Sequence, residues 1–431
     1  MNTPLYNFLE KYAGSNTLRM HMPGHKGRVS GSFGSVYPYD ITEISGADSL
    51  FESEGIIAES ERNAASLFGT AATLYSAEGS TLCIQAMLAL MKRENRHVIA
   101  VRNVHRSFLS ACALLGTEPE WIYPKYTGGI LSGDADLRDI EKALSEHENS
   151  CLYITSPDYL GKTADIPAIS EICRRHGAAL LVDNAHGAHS AFMPENRHPI
   201  HLGADMCCDS AHKMLPALTG AAYLHIGNKR YTEGAKTAMS LFASTSPSYL
   251  IMGSLDLCNR YIAGKIREDL EYAVRRTEKL KSRISEKYEV YDGEPLHLTL
   301  LCNGNKVSQE LRKQGIECEY ADGSCIVLLL SPVNTEEDFT RLEKALMSIS
   351  PERGDNVGIK LPVMEKAVPL REAALSEFET IPAEQAEGRI CAFINVPCPP
   401  AVPIAVSGEI ISRECIKIYK RYGIINVNVL K

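Results

Sequence analysis

The chain has 431 residues, 45% of them apolar and 23% charged, and a formal net charge of −8. This composition is that of a globular protein long enough for two domains, and it gives no basic footprint for nucleic acid. No apolar run approaches the ~20 residues of a membrane span, and the N-terminal stretch lacks the pattern of a signal peptide. The 13 cysteines show no C-x-x-C pair and no regular spacing, which favours free thiols in a reducing cytoplasm.

The stretch from about residue 70 to 226 alternates strand-like and helix-like segments. Such alternation predicts a mainly parallel sheet with helices on both faces. Ligands of such folds bind where a strand ends and the chain turns toward a helix. We predict strands over 71–76, 97–102, 151–156, 178–183, 203–210 and 220–226, and helices over 79–94, 105–115, 136–147 and 166–177.

A second pattern begins after residue 247. A long charged stretch to about residue 287 has helical character, and two apolar strands then alternate with two helices. These strands are predicted at 296–302 and 325–330, and the helices at 306–314 and 335–348. The pattern indicates a smaller α/β domain. We divide the chain into an N-terminal arm (1–50), a large domain (51–285) and a C-terminal small domain (286–431).

A Gly-Ser-Thr turn connects the first predicted strand to the first predicted helix. Gly79, Ser80 and Thr81 offer backbone N–H groups, two hydroxyls and the positive end of a helix dipole. This combination suits a phosphate group. Serine and threonine are also ordinary helix caps, so a purely structural role is the alternative.

Asp183 ends a strongly apolar strand, where a carboxylate is costly unless it is paired. Together with His186 and His189 it forms D-x-x-H-x-x-H, which raises the alternative of a metal site. The chain has no H-E-x-x-H motif and no further His, Cys or Glu cluster with a recognised ligand spacing. We therefore expect no metal.

Lys213 follows the next strand and precedes an apolar stretch. Because Asp183 and Lys213 end successive strands, they can converge on one cleft with the turn at Gly79. A phosphate site, a buried acid and a lysine in apolar surroundings suit pyridoxal 5'-phosphate (PLP), since the lysine bonds to its aldehyde and the acid pairs with its ring nitrogen. A rival lysine, Lys26, lies in a Pro- and Gly-rich loop with no acid at strand spacing before it.

Several long and unusual segments match one known family in the same order along the chain. They are "HMPGHKG" (21–27), "DITE" (40–43), "GST" (79–81), "RNVHRS" (102–107), "VDNAHGAH" (182–189), "SAHKMLPALTGAAYLH" (210–225), "STSPSY" (244–249), "REA" (371–373) and the proline-rich stretch before "GEII" (408–411). The chain thus resembles the ornithine/lysine/arginine decarboxylases, in their compact form without an N-terminal receiver-like domain. The resemblance implies an α/β fold: a fold-type-I PLP-dependent transferase-like large domain with a mainly parallel seven-stranded sheet, and a smaller C-terminal α/β domain.

The resemblance also implies roles for single residues. Lys213 would carry PLP, and Asp183 would bind the ring nitrogen with His186 beside it. His105 would stack on the pyridine ring. Ser246, in "STSPSY", would reach the phosphate of the partner subunit. The residues expected to hold the phosphate within one chain are Gly79, Ser80, Thr81, Ser210 and His212.

The chain departs from the family's common pattern at four positions. Asn184 stands where Glu is common, Gly220 where Gln is common and Cys398 where Tyr is common. Asp158 replaces a threonine and adds a negative charge near the expected mouth of the site, where it could bear on substrate choice. Three carboxylates are candidates for binding a cationic substrate side chain: Glu43, Asp48 and Asp158.

These observations together predict PLP-dependent α-decarboxylation of lysine, arginine or ornithine to the corresponding amine and CO2. The resemblance implies polyamine biosynthesis in the cytoplasm, by a homodimer or higher homo-oligomer with shared active sites. Two alternatives stay open: another lyase or an aminotransferase reaction on the same fold, and a PLP-binding homologue with a regulatory role. An aminotransferase would be expected to use an arginine for the α-carboxylate, and the sequence does not single one out.

Overall fold

The computed structural model describes residues 1–29, 31, 33–127, 129–355, 359–393 and 402–431. Its helices are α1 (Pro4–Ala13), α2 (Ile56–Phe68), α3 (Gly79–Arg93), α4 (Arg106–Leu115), α5 (Leu137–Glu146), α6 (Ile166–Arg175), α7 (Ala211–Met214), α8 (Ala235–Ser240), α9 (Tyr249–Gly264), α10 (Ile266–Ile284), α11 (Gly304–Lys313), α12 (Glu336–Ser348), α13 (Leu370–Leu375) and α14 (Arg413–Arg421). Its strands are β1 (Ala72–Ser76), β2 (His97–Val101), β3 (Glu120–Ile122), β4 (Lys125–Tyr126), β5 (Gly133–Asp134), β6 (Ser150–Thr155), β7 (Ala179–Asp183), β8 (Met206–Asp209), β9 (Ala222–Ile226), β10 (Glu289–Val290), β11 (His297–Leu301), β12 (Tyr320–Ala321), β13 (Cys325–Leu329), β14 (Phe378–Pro382) and β15 (Asn426–Leu430).

The largest sheet has seven strands in the order β1-β9-β8-β7-β6-β2-β3. The pairs β2–β3, β2–β6 and β7–β8 are parallel, and β9 runs antiparallel to both β1 and β8. The predicted seven-stranded, mainly parallel sheet is therefore confirmed. The chain forms two compact units, Met1–Leu90 with Leu181–Leu270, and Met91–Leu180 with Glu271–Lys431. The boundaries predicted after residues 50 and 285 stay predictions.

The first unit contains β1, β8 and β9 and most of β7. Leu180, Leu181 and Val182 are fully buried, which explains why β7 reads as a continuous apolar run rather than an alternating one. The helical region predicted over 247–287 consists of two helices, because α9 ends at Gly264 and α10 begins at Ile266. The hydroxyl of Ser248 caps α9 by accepting a hydrogen bond from Ile251 N.

The second unit contains a four-stranded antiparallel sheet in the order β10-β11-β13-β12. The helices α11 and α12 follow β11 and β13 along the chain, as the predicted alternation requires. A separate two-stranded sheet pairs β14 with β15 in antiparallel register. The second unit thus contains the smaller α/β arrangement that the sequence predicts after residue 286.

Arg102 anchors the end of β2 inside the second unit. Its side chain is 0% exposed. The guanidinium donates to the carbonyls of Pro403 (3.0 Å) and Ile404 (3.2 Å) and to the Glu409 carboxylate (3.2 Å). The ring of Trp121 lies under the guanidinium, 4.9 Å from its carbon. Arg102 and Glu409 form a structural ion pair, because acceptors of the chain bind the terminal donors of the guanidinium.

Among the described residues, no helix combines the length and the apolar character that crossing a membrane requires. The cysteines within the described ranges are free thiols, and nearly all of them are buried.

Candidate active site

The loop between β1 and α3 is held in a fixed conformation by its own side chains. Ser76 Oγ donates to the Gly79 carbonyl (2.9 Å) and accepts a hydrogen bond from Glu78 N (3.1 Å). Gly79 has a φ of +71°, which favours glycine, and among the described residues nothing beyond its own turn and helix backbone lies within 4 Å of where a Cβ would sit. Its N–H donates to the carbonyl of Gly220 (2.7 Å). The N–H groups in the first turn of α3 therefore follow a rigid loop.

The end of β8 lies against this turn. Ser210 Oγ donates to Ser80 Oγ over 3.0 Å. Ser210 is buried, Ser80 is half-buried and Thr81 is exposed. The structure therefore brings together two of the hydroxyls predicted to hold a phosphate, from strand ends 130 residues apart in sequence.

The orientation of His212 is fixed by the backbone of its own unit. Its Nδ1 lies 3.0 Å from the carbonyl oxygen of Ala221, so Nδ1 carries the proton and donates. Burial lowers the pKa of His212, and the charge of Lys213 lowers it further, although the bond to Ala221 opposes both. His212 could donate to a phosphate only through Nε2, in the doubly protonated form.

Lys213 lies in the short helix α7 and is half-buried. Its Nζ lies 2.9 Å from Nε2 of His186, which is 6% exposed. A lysine ammonium can donate only, so in this pair the imidazole accepts through Nε2. The sequence predicts both residues in one site, and the structure places them in direct contact.

Asp183 ends β7, beside Cys208 of the parallel strand β8. The carboxylate is 2% exposed, and its Oδ1 accepts from Ala185 N (3.2 Å) and from Cys208 Sγ (3.5 Å). Burial raises the pKa of the Cys208 thiol well above its usual value, and the charge of Asp183 raises it further. The thiol thus stays protonated and acts as a donor to the acid.

The metal alternative for D-x-x-H-x-x-H finds no support in the geometry. Within the described part of the chain, the groups of three side chains close enough to share a metal ion are His97–Glu120–His147 and His198–Cys207–Asp209. Neither group contains Asp183, His186 or His189.

A buried network behind the end of β8 was missed by the sequence reasoning. Asp209 is 0% exposed and accepts from His198 Nε2 (3.2 Å), His225 Nε2 (3.1 Å) and Asn184 Nδ2 (2.6 Å). Burial alone would raise the pKa of Asp209, but the two histidines outweigh it and hold that pKa below its usual value. The signal in the sequence was a charged residue closing the apolar strand "MCCD", directly before Ser210. The network connects Asn184, next to Asp183, with the strand that precedes Lys213.

The remaining predicted residues lie elsewhere in the chain. His105 belongs to the second unit and caps α4, accepting at Nδ1 from Ser107 N (3.2 Å). Its predicted stacking on a pyridine ring stays a prediction. Ser246 is exposed, and Ser244 N in the same segment donates to Glu78 Oε1 (2.7 Å), just before Gly79. Cys398 lies outside the described residues.

Two of the three candidate substrate carboxylates are engaged by their own chain. Asp48 accepts backbone N–H groups around the start of α2, including those of Gly55 (2.9 Å) and Ile57 (3.0 Å). Asp158 is buried and accepts from Ser132 Oγ (2.5 Å) and Lys162 N (3.0 Å). Burial raises the pKa of Asp158 to about 6, against the opposing effect of these donors. Both carboxylates have structural roles here, whereas Glu43 is exposed.

The side chains assembled in the first unit fit PLP by their chemistry. The helix N-terminus at Gly79 and the paired hydroxyls of Ser80 and Ser210 suit a phosphate monoester. The amine of Lys213 suits an aldehyde, and the buried carboxylate of Asp183 suits a protonated ring nitrogen. This donor set contains each of the three partners that the cofactor needs.

Comparison with known proteins gives evidence that is independent of the geometry. The family model described as "Orn/Lys/Arg decarboxylase, major domain" matches residues 3–298, and its C-terminal domain model matches residues 358–422. The arginine decarboxylase of Bacillus subtilis is 29% identical over 96% of this chain and 92% of its own length. An uncharacterised Bacillus subtilis protein, YaaO, is 30% identical over 97% of this chain and 93% of its own length.

Solved structures show the same fold at low sequence identity. The lysine decarboxylase of Francisella novicida matches with a TM-score of 0.80 and 16% identity, covering 100% of this chain and 81% of its own. A serine palmitoyltransferase with PLP matches with a TM-score of 0.59 and 12% identity, covering 70% of this chain and 79% of its own. The predicted fold-type-I architecture is confirmed by these likenesses.

Proposed function

Because the chain belongs to the Orn/Lys/Arg decarboxylase family, we propose that it catalyses the PLP-dependent α-decarboxylation of a basic amino acid. The observation that carries this proposal is the contact of Lys213 with His186, next to a strand that ends in the buried acid Asp183. A lysine, an imidazole and a buried carboxylate at the ends of neighbouring parallel strands form a site for cofactor chemistry rather than a surface cluster.

The residues that would hold the cofactor divide into three groups by chemistry. Lys213 would bond to its aldehyde, and Asp183 would keep its ring nitrogen protonated. The phosphate would bind at the N-terminus of α3, near the hydroxyls of Ser80 and Ser210. When bound, PLP supplies an electron sink for the electrons released from the substrate Cα.

The chain's own groups prepare and complete the reaction. His186 Nε2 lies 2.9 Å from Lys213 Nζ and can accept the proton that the amine must lose before it forms a covalent bond. The carboxylate of Asp183 is buried, so it would stabilise a proton on the ring nitrogen of the bound cofactor. In the net reaction the bond from Cα to the carboxylate breaks, CO2 leaves, and Cα takes up one proton to give the amine.

Arginine is the substrate that we propose to test first. The alignments with the arginine decarboxylases of Bacillus subtilis and Bacillus anthracis cover 92% and 91% of the length of those proteins. The lysine decarboxylase of Pseudomonas aeruginosa aligns over 40% of its own length. With arginine as the substrate the product would be agmatine, and we propose that the enzyme serves polyamine biosynthesis.

The test is release of labelled CO2 from arginine, lysine and ornithine, each labelled at the carboxyl carbon, with purified protein and added PLP. We expect labelled CO2 from at least one of them, with arginine the fastest. Lys213→Ala protein, prepared in parallel, controls for a contaminating decarboxylase and should release none. If PLP-loaded protein releases labelled CO2 from none of these three amino acids, the proposal is contradicted.

The alternatives on the same fold have a distinct readout. The likeness to a serine palmitoyltransferase with PLP indicates that this architecture hosts other reactions of amino acids. Loss of the amino acid without CO2 release, with a keto acid formed, would favour an aminotransferase. A protein that binds PLP but consumes none of the three amino acids would favour a regulatory homologue.

We propose in addition a cytoplasmic homodimer with shared sites, in which Ser246 reaches the phosphate of the partner subunit. Support comes from the exposure of Ser246 and from the bond of its segment to Glu78, directly before Gly79. A mixture of Lys213→Ala protein with a Ser246→Ala/Glu43→Gln protein tests this. With subunit exchange, hybrids should restore up to about a quarter of the sites by statistical mixing. No recovery after proven exchange would mean that each site is built from one chain.

A further inference from the structure

Three potential metal ligands converge in the second unit, and the proposed decarboxylation uses none of them. Nε2 of His97 lies 3.0 Å from Glu120 Oε2, and Nε2 of His147 lies 2.6 Å from the same oxygen. The two imidazole rings stack with centroids 4.0 Å apart and planes 18° apart. The three ligand atoms all lie within 4.8 Å of one another.

From this geometry we infer that His97, Glu120 and His147 form a binding site for a divalent transition-metal ion, Zn²⁺ in the first instance. Two imidazole nitrogens and one carboxylate oxygen are a ligand set that zinc takes, with further positions filled by water. Mg²⁺ and Ca²⁺ prefer sets made of oxygen atoms alone. This inference is independent of the proposed function.

The ligands are held by three different elements of the second unit. His97 is the first residue of β2 and Glu120 the first of β3, in a parallel pair that aligns Ile99 with Glu120. His97 and Ile99 face the same side of the sheet, since side chains alternate along a strand. His147 directly follows α5, and His97 N donates to the Asn149 carbonyl over 3.0 Å, which ties the two segments together.

Binding of an ion requires a change in the ligand spacing and in the orientation of the imidazole rings. With bonds of about 2.0–2.1 Å, tetrahedral ligand atoms are roughly 3.3 Å apart. The two contacts to Glu120 are 3.0 and 2.6 Å long, so these pairs must lengthen by less than about 1 Å, and the stacked imidazole rings must also turn until both Nε2 atoms point at the ion. Each of the three side chains is about one-third exposed, at 36%, 33% and 35%, so an ion with bound water can reach them.

The charges around the site favour a cation. Glu120 also lines a cleft of about 270 Å³ together with Asp139, Glu146 and Lys142. Three carboxylates therefore face one amine there, and Lys142 lies 4.0 Å from Glu146. The local field is negative, which raises the concentration of divalent cations at the surface.

The second cluster of potential ligands behaves differently. His198, Cys207 and Asp209 are 0% exposed, and Asp209 already accepts three hydrogen bonds. An ion would have to replace these bonds in a closed interior. The cluster at His97 offers the same number of ligands with access to solvent, so it is the site that we propose.

The site has no recognisable spacing in the sequence, because its three residues are separated by 23 and 27 positions and lie on separate elements. The expectation of no metal rested on the spacing of motifs alone. Parallel pairing of β2 with β3 brings the first two ligands together, and the end of α5 adds the third.

Zinc titration of untagged, full-length, PLP-loaded protein at pH 7.5, in competition with a chromophoric zinc indicator, tests the site. We expect one ion per chain bound in the micromolar range. His97→Asn, His147→Asn and Glu120→Gln should each weaken this binding at least about tenfold. His176→Asn is the matched control, because His176 lies 4.0 Å from a single acid, Glu141, and should leave affinity unchanged.

Zinc-edge X-ray absorption on the one-to-one complex provides a second readout. Nitrogen and oxygen neighbours near about 2.0–2.1 Å, without sulfur near about 2.3 Å, are expected. Sulfur neighbours would assign the ion to a thiol such as Cys207 and overturn the proposal. Equal affinity of wild type and all three ligand variants, or no zinc bound in the micromolar range, would overturn it as well.

Discussion

Two strand ends in this molecule use a cation in opposite ways. Arg102 follows β2 in the second unit and is fully buried, with its terminal donors bound to Glu409 and to two carbonyls. Lys213 follows β8 in the first unit and is half-buried. Within the described residues, its hydrogen-bond partner is the imidazole of His186. A cation enclosed by chain acceptors stabilises the fold, whereas one with an uncharged partner and solvent access is available for chemistry.

Replacement of Lys213 should give the largest effect and sharpen this contrast. We expect Lys213→Ala to lower kcat/KM by roughly 10⁴-fold or more, about 5.5 kcal/mol of transition-state stabilisation. Because Lys213 makes no ion pair with the chain in the described structure, the free energy of unfolding of the apo protein should change by less than about 1 kcal/mol. Activity assays and urea titration measure the two quantities on the same sample.

Lys26→Ala is the matched control for this variant. Lys26 Nζ donates to the carbonyl of His21 (2.5 Å), in a loop that belongs to no strand or helix. Its removal should leave activity within a few-fold of wild type. A Lys213→Ala protein that retains turnover, or one that fails to fold, would break the distinction between the two cations.

Replacement of Arg102 should have the opposite profile. Arg102→Met leaves Glu409 buried without its cation, and such losses cost about 3–5 kcal/mol of unfolding free energy. The double variant Arg102→Met/Glu409→Met should recover part of this loss, because no charge stays buried. Urea unfolding of the two variants and wild type gives the comparison. A single variant as stable as wild type would show that the pair is dispensable.

Asp183→Asn tests the acid partner at the functional strand end. Asparagine has nearly the same shape, so PLP should still bind. The ring nitrogen would lose its negative partner, and turnover should fall roughly 10²-fold, about 3 kcal/mol. Asp165→Asn is the control, since Asp165 caps α6 by accepting from Ala168 N (3.1 Å) and is expected to affect stability only. Wild-type turnover in Asp183→Asn protein would refute the role of Asp183 in keeping the ring nitrogen protonated.

Asp158 gives the smallest effect, and it appears in the pH dependence of stability. Burial raises its pKa from 3.8 to about 6, so between these values the folded chain holds a proton that the unfolded chain has lost. Stability should therefore fall as pH rises from about 4 to about 6, by about 1–2 kcal/mol. Asp158→Asn removes the titrating group and should flatten this slope in urea titrations. An unchanged slope would mean that Asp158 titrates alike in both states.

The fold was predictable from the sequence because its signals are local. Apolar runs such as the one that ends at Asp183, followed by helical periodicity, define strands and helices one at a time. The same reading finds the turn at Gly79 and the lysine at 213, since each directly follows a strand. The connection between elements was harder to predict. The helical stretch after residue 247 is two helices, and its break near Lys265 is marked only by Gly264, a residue that the interior of a helix also tolerates.

The interior of the site was not predictable for a physical reason. Asp209 receives its hydrogen bonds from His198, His225 and Asn184, which lie 11 to 25 residues away on separate elements. The metal ligands proposed around Glu120 are likewise joined only by strand pairing. Asp48 and Asp158, two candidates for binding the substrate side chain, accept hydrogen bonds from backbone N–H groups that the sequence does not identify. A sequence identifies a carboxylate, but its partners depend on tertiary packing.

Borohydride reduction followed by peptide mapping tests the central claim most directly, because it identifies the residue that bonds to PLP. The reagent fixes the cofactor on the lysine that carries it, and proteolysis with mass spectrometry then locates the added mass. We predict that the label lies on the single peptide containing Lys213, and that Lys213→Ala protein takes up none. Label on the peptide with Lys26, or an active enzyme with no labelled lysine, would contradict the account.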